Sequence, residues 1–229
     1  MPPPKPRGET IKTFSFVPRL GVQVGGGGSV DGECAGSLCA TATSVSHDYD
    51  LSSAFAISFD FLFKAGKLVR LGPGLMYTHT MDIQYSGSSV HTELGNLTDI
   101  DAVLELIPQV GPSVWLVPRF QLGLTSFNAS GTAETGEKED KASCLASSSS
   151  VTFSGCDSID SPHIGYNIGT GFGVLIGTGS AVRFRIDTLL NYYSFGVEEG
   201  SATDSYGATA TFKTSLSGTR YLLLAGLEI

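Results

Sequence analysis

No stretch of this 229-residue chain approaches the roughly 18 consecutive apolar residues that a membrane-crossing helix requires, so its apolar side chains are dispersed. Positive charge is also short. With 14 Lys and Arg against 22 Asp and Glu, the formal net charge is −8 at pH 7, the wrong sign for a partner built of phosphates, and nucleic acid is excluded. Cysteine is sparse, with four residues that fall as Cys34 with Cys39 and Cys144 with Cys156. Both spacings fail the CxxC pattern of zinc and redox sites, and both pairs sit among Gly, Ser, Ala and Thr, so extracytoplasmic disulfides fit better than metal. Of the three pairings that four cysteines permit, the two local ones are expected. The N-terminus lacks the apolar core of a secretory signal, because Met1 is followed by PPPKPRGE. It reads as a mature chain with an added Met, residues 1–12 forming a mobile, proline-rich leader.

What is present is strict alternation, repeated eight times through one domain spanning 13–229. Phe14, Phe16, Leu20, Val22 and Val24 interleave with Ser15, Arg19, Gly21 and Gln23; Phe55, Ile57, Phe59, Phe61 and Phe63 with Ser58 and Asp60. Leu71, Leu75, Tyr77, Met81 and Ile83 oppose Arg70, Gly74, Thr78 and Asp82, and Ile100, Ala102, Leu104 and Leu106 oppose Asp99, Asp101 and Glu105. Leu116, Phe120, Leu122 and Leu124 face away from Trp115, Arg119 and Gln121, as do Ile164 to Ile176 from a row of glycines and Asn167. Val182, Phe184, Ile186 and Leu190 face away from Arg183, Arg185 and Asp187, and a last strand runs through YLLLAGLEI. Connections alternate between long (27–48, 86–93, 128–161, 198–213) and short (64–67, 108–113, 177–180), which predicts an all-β, eight-stranded antiparallel up-and-down barrel with its long loops at one end.

The same alternation serves a soluble barrel with its apolar face inward or a membrane barrel with that face outward. The polar face decides between them. Arg19, Asp60, Arg70, Asp82, Asp99, Asp101, Glu105, Arg119, Arg183, Arg185 and Asp187 bring both signs into mid-strand, with arginine in place of lysine. Planar guanidinium forks pair with carboxylates in a crowded interior, so these residues are expected to form an ion-pair network plugging the lumen of a transmembrane barrel. Several strands exceed the roughly 9 to 11 residues a bilayer needs, so the wall should project beyond it.

Other chemistry finds little support. His47, His79, His91 and His163 have no Ser and acidic partner at catalytic spacing, and neither a catalytic residue nor a cofactor is expected. Gly25 to Gly28 and GTGFGVLIGTG lack the GK[ST] ending and the helix of a phosphate loop. Asp99, Asp101 and Glu105 share a strand face, but nearby arginines are cheaper counter-ions than a metal.

The chain resembles the small bacterial outer-membrane barrels of the OmpA, OmpX and OmpW-like superfamily, in architecture throughout and in motif at its end. Such proteins close on alternating apolar residues read by the barrel-assembly machinery, and Tyr221, Leu223, Ala225, Leu227 and Ile229 fill those positions, Ile229 departing from the usual terminal Phe. The resemblance implies a monomer in the outer membrane, in contact with lipid and lipopolysaccharide. It would act as a non-enzymatic presenter of disulfide-tied loops for envelope integrity or surface interaction. The alternatives it leaves are a narrow channel for small, hydrophobic solutes and, third, a lipid A-modifying enzyme.

Overall fold

The computed structural model describes residues 12–37, 43–85, 91–130, 151–154, 162–177, 182–204 and 209–229. Within them lie the strands β1 (Phe14–Gly36), β2 (Thr43–Leu51), β3 (Ala54–Lys64), β4 (Val69–Tyr85), β5 (His91–Leu106), β6 (Gln109–Gly111), β7 (Val114–Ala129), β8 (Val151–Ser154), β9 (His163–Ile176), β10 (Arg183–Asp204) and β11 (Thr209–Glu228). All pairings among them are antiparallel, and the ladder from Arg19↔Gly226 to Gly36↔Ala210 joins β11 back to β1 and closes the sheet. β2 and β3 are two halves of one wall strand, while β6 and β8 are short additions, so the closed wall has eight strands. The Phe16 and Ile229 amides each donate to the other's carbonyl, at 3.0 and 2.9 Å, sealing the seam at the C-terminus.

Outward side chains over the lower wall are apolar. Ile100 is 62% exposed, Leu122 59% and Ile168 54%, values that water tolerates singly but not as a continuous belt. On β7 this face runs Leu116, Phe120, Leu122, Leu124 and then changes to Ser126 and Asn128. On β10 it runs Phe184, Ile186, Leu190, Tyr192 and then Ser194; on β11, upward from Ile229 to Tyr221, then Thr219 and Ser217. Each apolar run covers about 10 residues, the length a tilted strand needs to cross hydrocarbon. Tyr77, Tyr166 and Tyr192 sit at the upper border of the runs, where an aromatic ring with a polar tip suits an interface between lipid and water.

Inside, the order reverses. A floor of Ile107, Trp115, Val117 and Leu175 underlies the charged middle, above which Tyr49, Leu51, Ala54, Ile83, Leu97, Phe127, Tyr193 and Phe195 form an apolar cluster. The lower wall is thus polar inside and apolar outside, and the upper wall is the opposite, as in a barrel that stands in water.

Irregularities mark the change. β1 shifts register between Gln23 and Gly25, where Gly25 has a φ of +153° that a side chain would strain, and the β4–β5 ladder gains an extra β4 residue between Thr78 and Met81 and an extra β5 residue between Gly95 and Glu93. Each bulge swaps the face on which later residues lie. The β4 shift corrects two expectations: Ile83, expected outward, is 3% exposed in the upper core, and Asp82, expected in the lumen, falls on the other face. Asp82 lies opposite Glu93, its carbonyl accepting the Ser52 amide at 2.9 Å across the break between β2 and β3.

The long connections are shorter than expected. β1 continues to Gly36 and β2 begins at Thr43, so most of 27–48 is paired wall; β4 reaches Tyr85 and β10 and β11 extend to Asp204 and Thr209. Glycine and serine suggested loops there, but a strand with a partner on each side is held by its backbone ladder whatever its composition.

Candidate functional site

Alternation on five strands aims the lumenal charges at one another. β5 carries Glu105, β10 Arg185 and Asp187, β1 Arg19, β3 Asp60 and β7 Arg119, and their side chains form a closed ring. Arg185 donates to Glu105 at 2.6 and 3.0 Å and through Nε to Asp187 at 2.7 Å. Asp187 accepts from Arg19 at 3.0 Å, Arg19 also donates to Asp60, and Asp60 accepts Arg119 at 3.0 Å. Arg119 completes the cycle on Glu105 at 3.2 Å. Three cations alternate with three anions, each within 5% of full burial.

A branch leaves the ring at Glu105, which also accepts Arg70 at 2.8 Å. Arg70 reaches Glu228 at 2.6 Å, Glu228 accepts Arg183 at 3.4 Å, and the Arg183 guanidinium lies 4.5 Å over the Trp115 ring. That cation–π contact joins the charged layer to the apolar floor. Higher up, Arg220 holds Asp99 and donates to Thr78 at 3.0 Å.

The buried lumen therefore contains Arg19, Arg70, Arg119, Arg183, Arg185 and Arg220 against Asp60, Asp99, Asp101, Glu105, Asp187 and Glu228, six of each sign. Six of the chain's seven arginines are there, and among the described residues no lysine is buried. The chemistry explains the choice: a guanidinium offers five donors in a fixed fork and can bridge two carboxylates, which a compact ammonium does less well. Taking an unpaired charge out of water costs several kcal/mol, so a mixture of signs is what such a lumen tolerates.

Of the residues named from sequence, all but Asp82 lie in this interior. Asp101 stands apart from the network: Gln121 Nε2 donates to it at 2.9 Å and Asn167 hydrogen-bonds it, and among the described residues no arginine does. Sequence reasoning missed Arg220 and Glu228. Counting back by twos from Glu228 through Gly226, Leu224 and Leu222 to Arg220 puts them on one inward face, but starting the last strand at Tyr221 hid it. It also missed Tyr49 and Tyr193, whose hydroxyls meet at 2.8 Å in the upper cluster.

Tyr221, Leu223, Ala225, Leu227 and Ile229 line the outer face of β11. Cys34 is disulfide-bonded; Cys39, Cys144 and Cys156 lie outside the described residues. His79 is on the outer face with its Nδ1 3.1 Å from the Tyr77 hydroxyl, His163 stacks on Phe127 at 5.7 Å, and His47 is exposed, so these three occupy separate places on the wall. The side chain of His91 is outside the described set.

No family model and no curated protein sequence matches the chain. Among solved structures it is similar to the outer membrane protein OprG from Pseudomonas aeruginosa, 12% identical over 96% of this chain and 98% of that one, with a TM-score of 0.47. It is also similar to the outer membrane protease OmpT from Escherichia coli, 9% identical over 97% and 99%, TM-score 0.42. A third likeness, to the InvG secretin domain β-barrel from the Salmonella SPI-1 injectisome, is 10% identical over 95% and 63%, TM-score 0.27. At such low identity and overlap none of them bears on what this chain does.

Proposed function

We propose that this chain is an integral bacterial outer-membrane protein whose barrel is a closed anchor that holds an upper, water-exposed section and its loops at the cell surface. The observation that carries this reading is the reversal of the wall: charges inside and apolar residues outside over one bilayer's depth, then apolar inside and Ser, Thr and Asn outside. The ring of alternating charges fills the one route through the lower lumen, which favours anchor over conduit. An eight-stranded barrel has an interior just wide enough for side chains to fill.

The rival reading, a channel that releases hydrophobic solutes sideways, needs a gap in the wall, and the prolines are its natural places. Pro18 and Pro118 stay in register opposite Phe59 and Phe172. At Pro73 the β3–β4 ladder skips from Asp60↔Gly74 to Phe63↔Leu71, but Gly72 packs against the Phe61 carbonyl and a Cβ there would lie 3.2 Å from the Leu62 Cα. The strands touch where the ladder lapses.

Charge supports an orientation. Lys64 and Lys67 flank the tight turn at the end that holds both seam residues, while Asp31, Glu33, Asp48, Asp50 and Glu93 lie on the upper strands. The upper section is thus the surface section, and the disulfide-bonded Cys34 lies in it. A partner would meet that section, through loops, and lipopolysaccharide would meet the outer wall.

Topology is tested on intact cells with a membrane-impermeant maleimide, measured against the parent chain. Asn128→Cys should label on whole cells, and Lys67→Cys only after the outer membrane is permeabilised. Labelling of Lys67→Cys alone on whole cells would reverse the orientation, and labelling of neither even after permeabilisation and lysis would remove the protein from this membrane.

A further inference from the structure

The upper lumen carries one more negative charge than its arginine can match. Asp99 and Asp101 lie two residues apart on the inward face of β5, 0% and 4% exposed, and Arg220 hydrogen-bonds Asp99 but not Asp101. Around them are buried oxygens with no hydrogen-bond partner: Asp99 Oδ1, Asp101 Oδ1, Thr125 Oγ1, Asn167 Oδ1 and Asn191 Oδ1. Thr125, Asn167 and Asn191 are each 0% exposed, so water outside does not satisfy them.

Register brings these oxygens together. Asp99 lies opposite Thr125, Asp101 opposite Gly123, and Gly123 opposite Asn167, so four donors occupy two adjacent rungs across β5, β7 and β9. Gly123 is small for a reason: a Cβ there would clash with the Ile100 carbonyl oxygen and with Asp101 Oδ1. The next rung repeats the device, with Gly169 leaving room beside Asn191 Oδ1, which would stand 3.2 Å from a Cβ there.

From this cradle we propose that the upper lumen binds a monovalent alkali-metal cation through Asp99 Oδ1, Asp101 Oδ1, Thr125 Oγ1 and Asn167 Oδ1. The chemistry is oxygen only, which suits a hard cation and no thiophilic metal. The charge count selects a monovalent ion: two carboxylates less one guanidinium leave a single negative charge. Such an ion also gives Asp101, which among the described residues no arginine hydrogen-bonds, a directly bonded partner of opposite sign.

The test is refolding of the full chain from urea into detergent micelles in sodium chloride and in choline chloride at one ionic strength, choline being too large for the cradle. The folding equilibrium constant should rise with sodium, approaching about tenfold for each tenfold increase above the dissociation constant. Asp101→Asn should abolish that dependence while folding in choline at least as well as the parent, because the amide needs no counter-ion. Equal folding of the parent in the two salts would overturn the proposal, and so would an Asp101→Asn barrel that keeps the parent's sodium dependence. A carboxyl satisfied by its own proton gives the former result. If Asp101→Asn does not fold, crystals of the parent grown with thallium(I) decide: anomalous density between β5 and β9 is expected, and its absence refutes the site.

Discussion

Replacing Glu105 with leucine should cost the folded barrel about 3–5 kcal/mol, the range found when one partner of a buried ion pair is removed. Glu105 is the carboxylate on which Arg70, Arg119 and Arg185 converge, and it is 0% exposed. Its loss opens the ring, leaves Arg185 to Asp187 and Arg119 to Asp60, and places three guanidinium groups in the lumen with one carboxylate fewer. The size of leucine suits the site; the imbalance of charge does not. Urea titrations of the refolded protein, followed by the mobility difference between folded and unfolded barrel on gels, give the number. A loss under about 1 kcal/mol, the typical worth of an exposed pair, would mean that water reaches Glu105 and the ring is no plug.

The second large effect lies on the opposite face of the wall. Ile186→Lys, in the middle of the apolar run of β10, should destabilise the barrel in lipid vesicles by about 2–4 kcal/mol, because it sets an ammonium in hydrocarbon. Ser194→Lys lies on the same face of the same strand eight residues higher, beyond Tyr192, and should stay within about 0.5 kcal/mol. The contrast between them measures where lipid ends. Equal costs at the two positions would remove the boundary on which the membrane-spanning reading rests.

Much of this was legible in the chain itself, and the reason is physical. A strand alternates its side chains between two faces, so arginine and aspartate interleaved with Phe, Ile and Leu mean one charged face and one apolar face wherever the barrel stands. Arg19, Asp60, Glu105, Arg119, Arg185 and Asp187 were found that way. That they form a cycle was not legible, since alternation places a residue on a face without saying which neighbour across the lumen it meets; Arg19 and Asp187 are 168 residues apart.

The upper section hid for a different reason. Once the outer face becomes Ser, Thr, Asn and Gly and the inner face holds scattered aromatics, polarity no longer separates the faces in the order read lower down. GGGGSVDGECAG in β1 then looks like a loop, although β11 and β2 pair along it. The bulges compounded this. A single register shift between Thr78 and Met81 carried Ile83 inward and Asp82 out of the lumen, and no residue type in that stretch announces it. Arg220 was lost to a boundary, β11 beginning well before Tyr221, and Glu228 to Leu222 and Leu224, apolar residues on its own inward face that blur the alternation.

The claim that joins these findings is that the lower lumen is shut by its own charges. The ring of Arg19, Asp60, Arg119, Glu105, Arg185 and Asp187 occupies it with Arg70, Arg183 and Glu228, and the floor beneath them is Trp115 with Ile107, Val117 and Leu175. Conductance of the refolded, purified barrel across a planar lipid bilayer tests it directly. The parent chain should insert and leave the membrane's conductance at that of the lipid alone, without unitary steps. Reproducible steps of fixed size from the unaltered chain would show an open path through the lumen and contradict the plug.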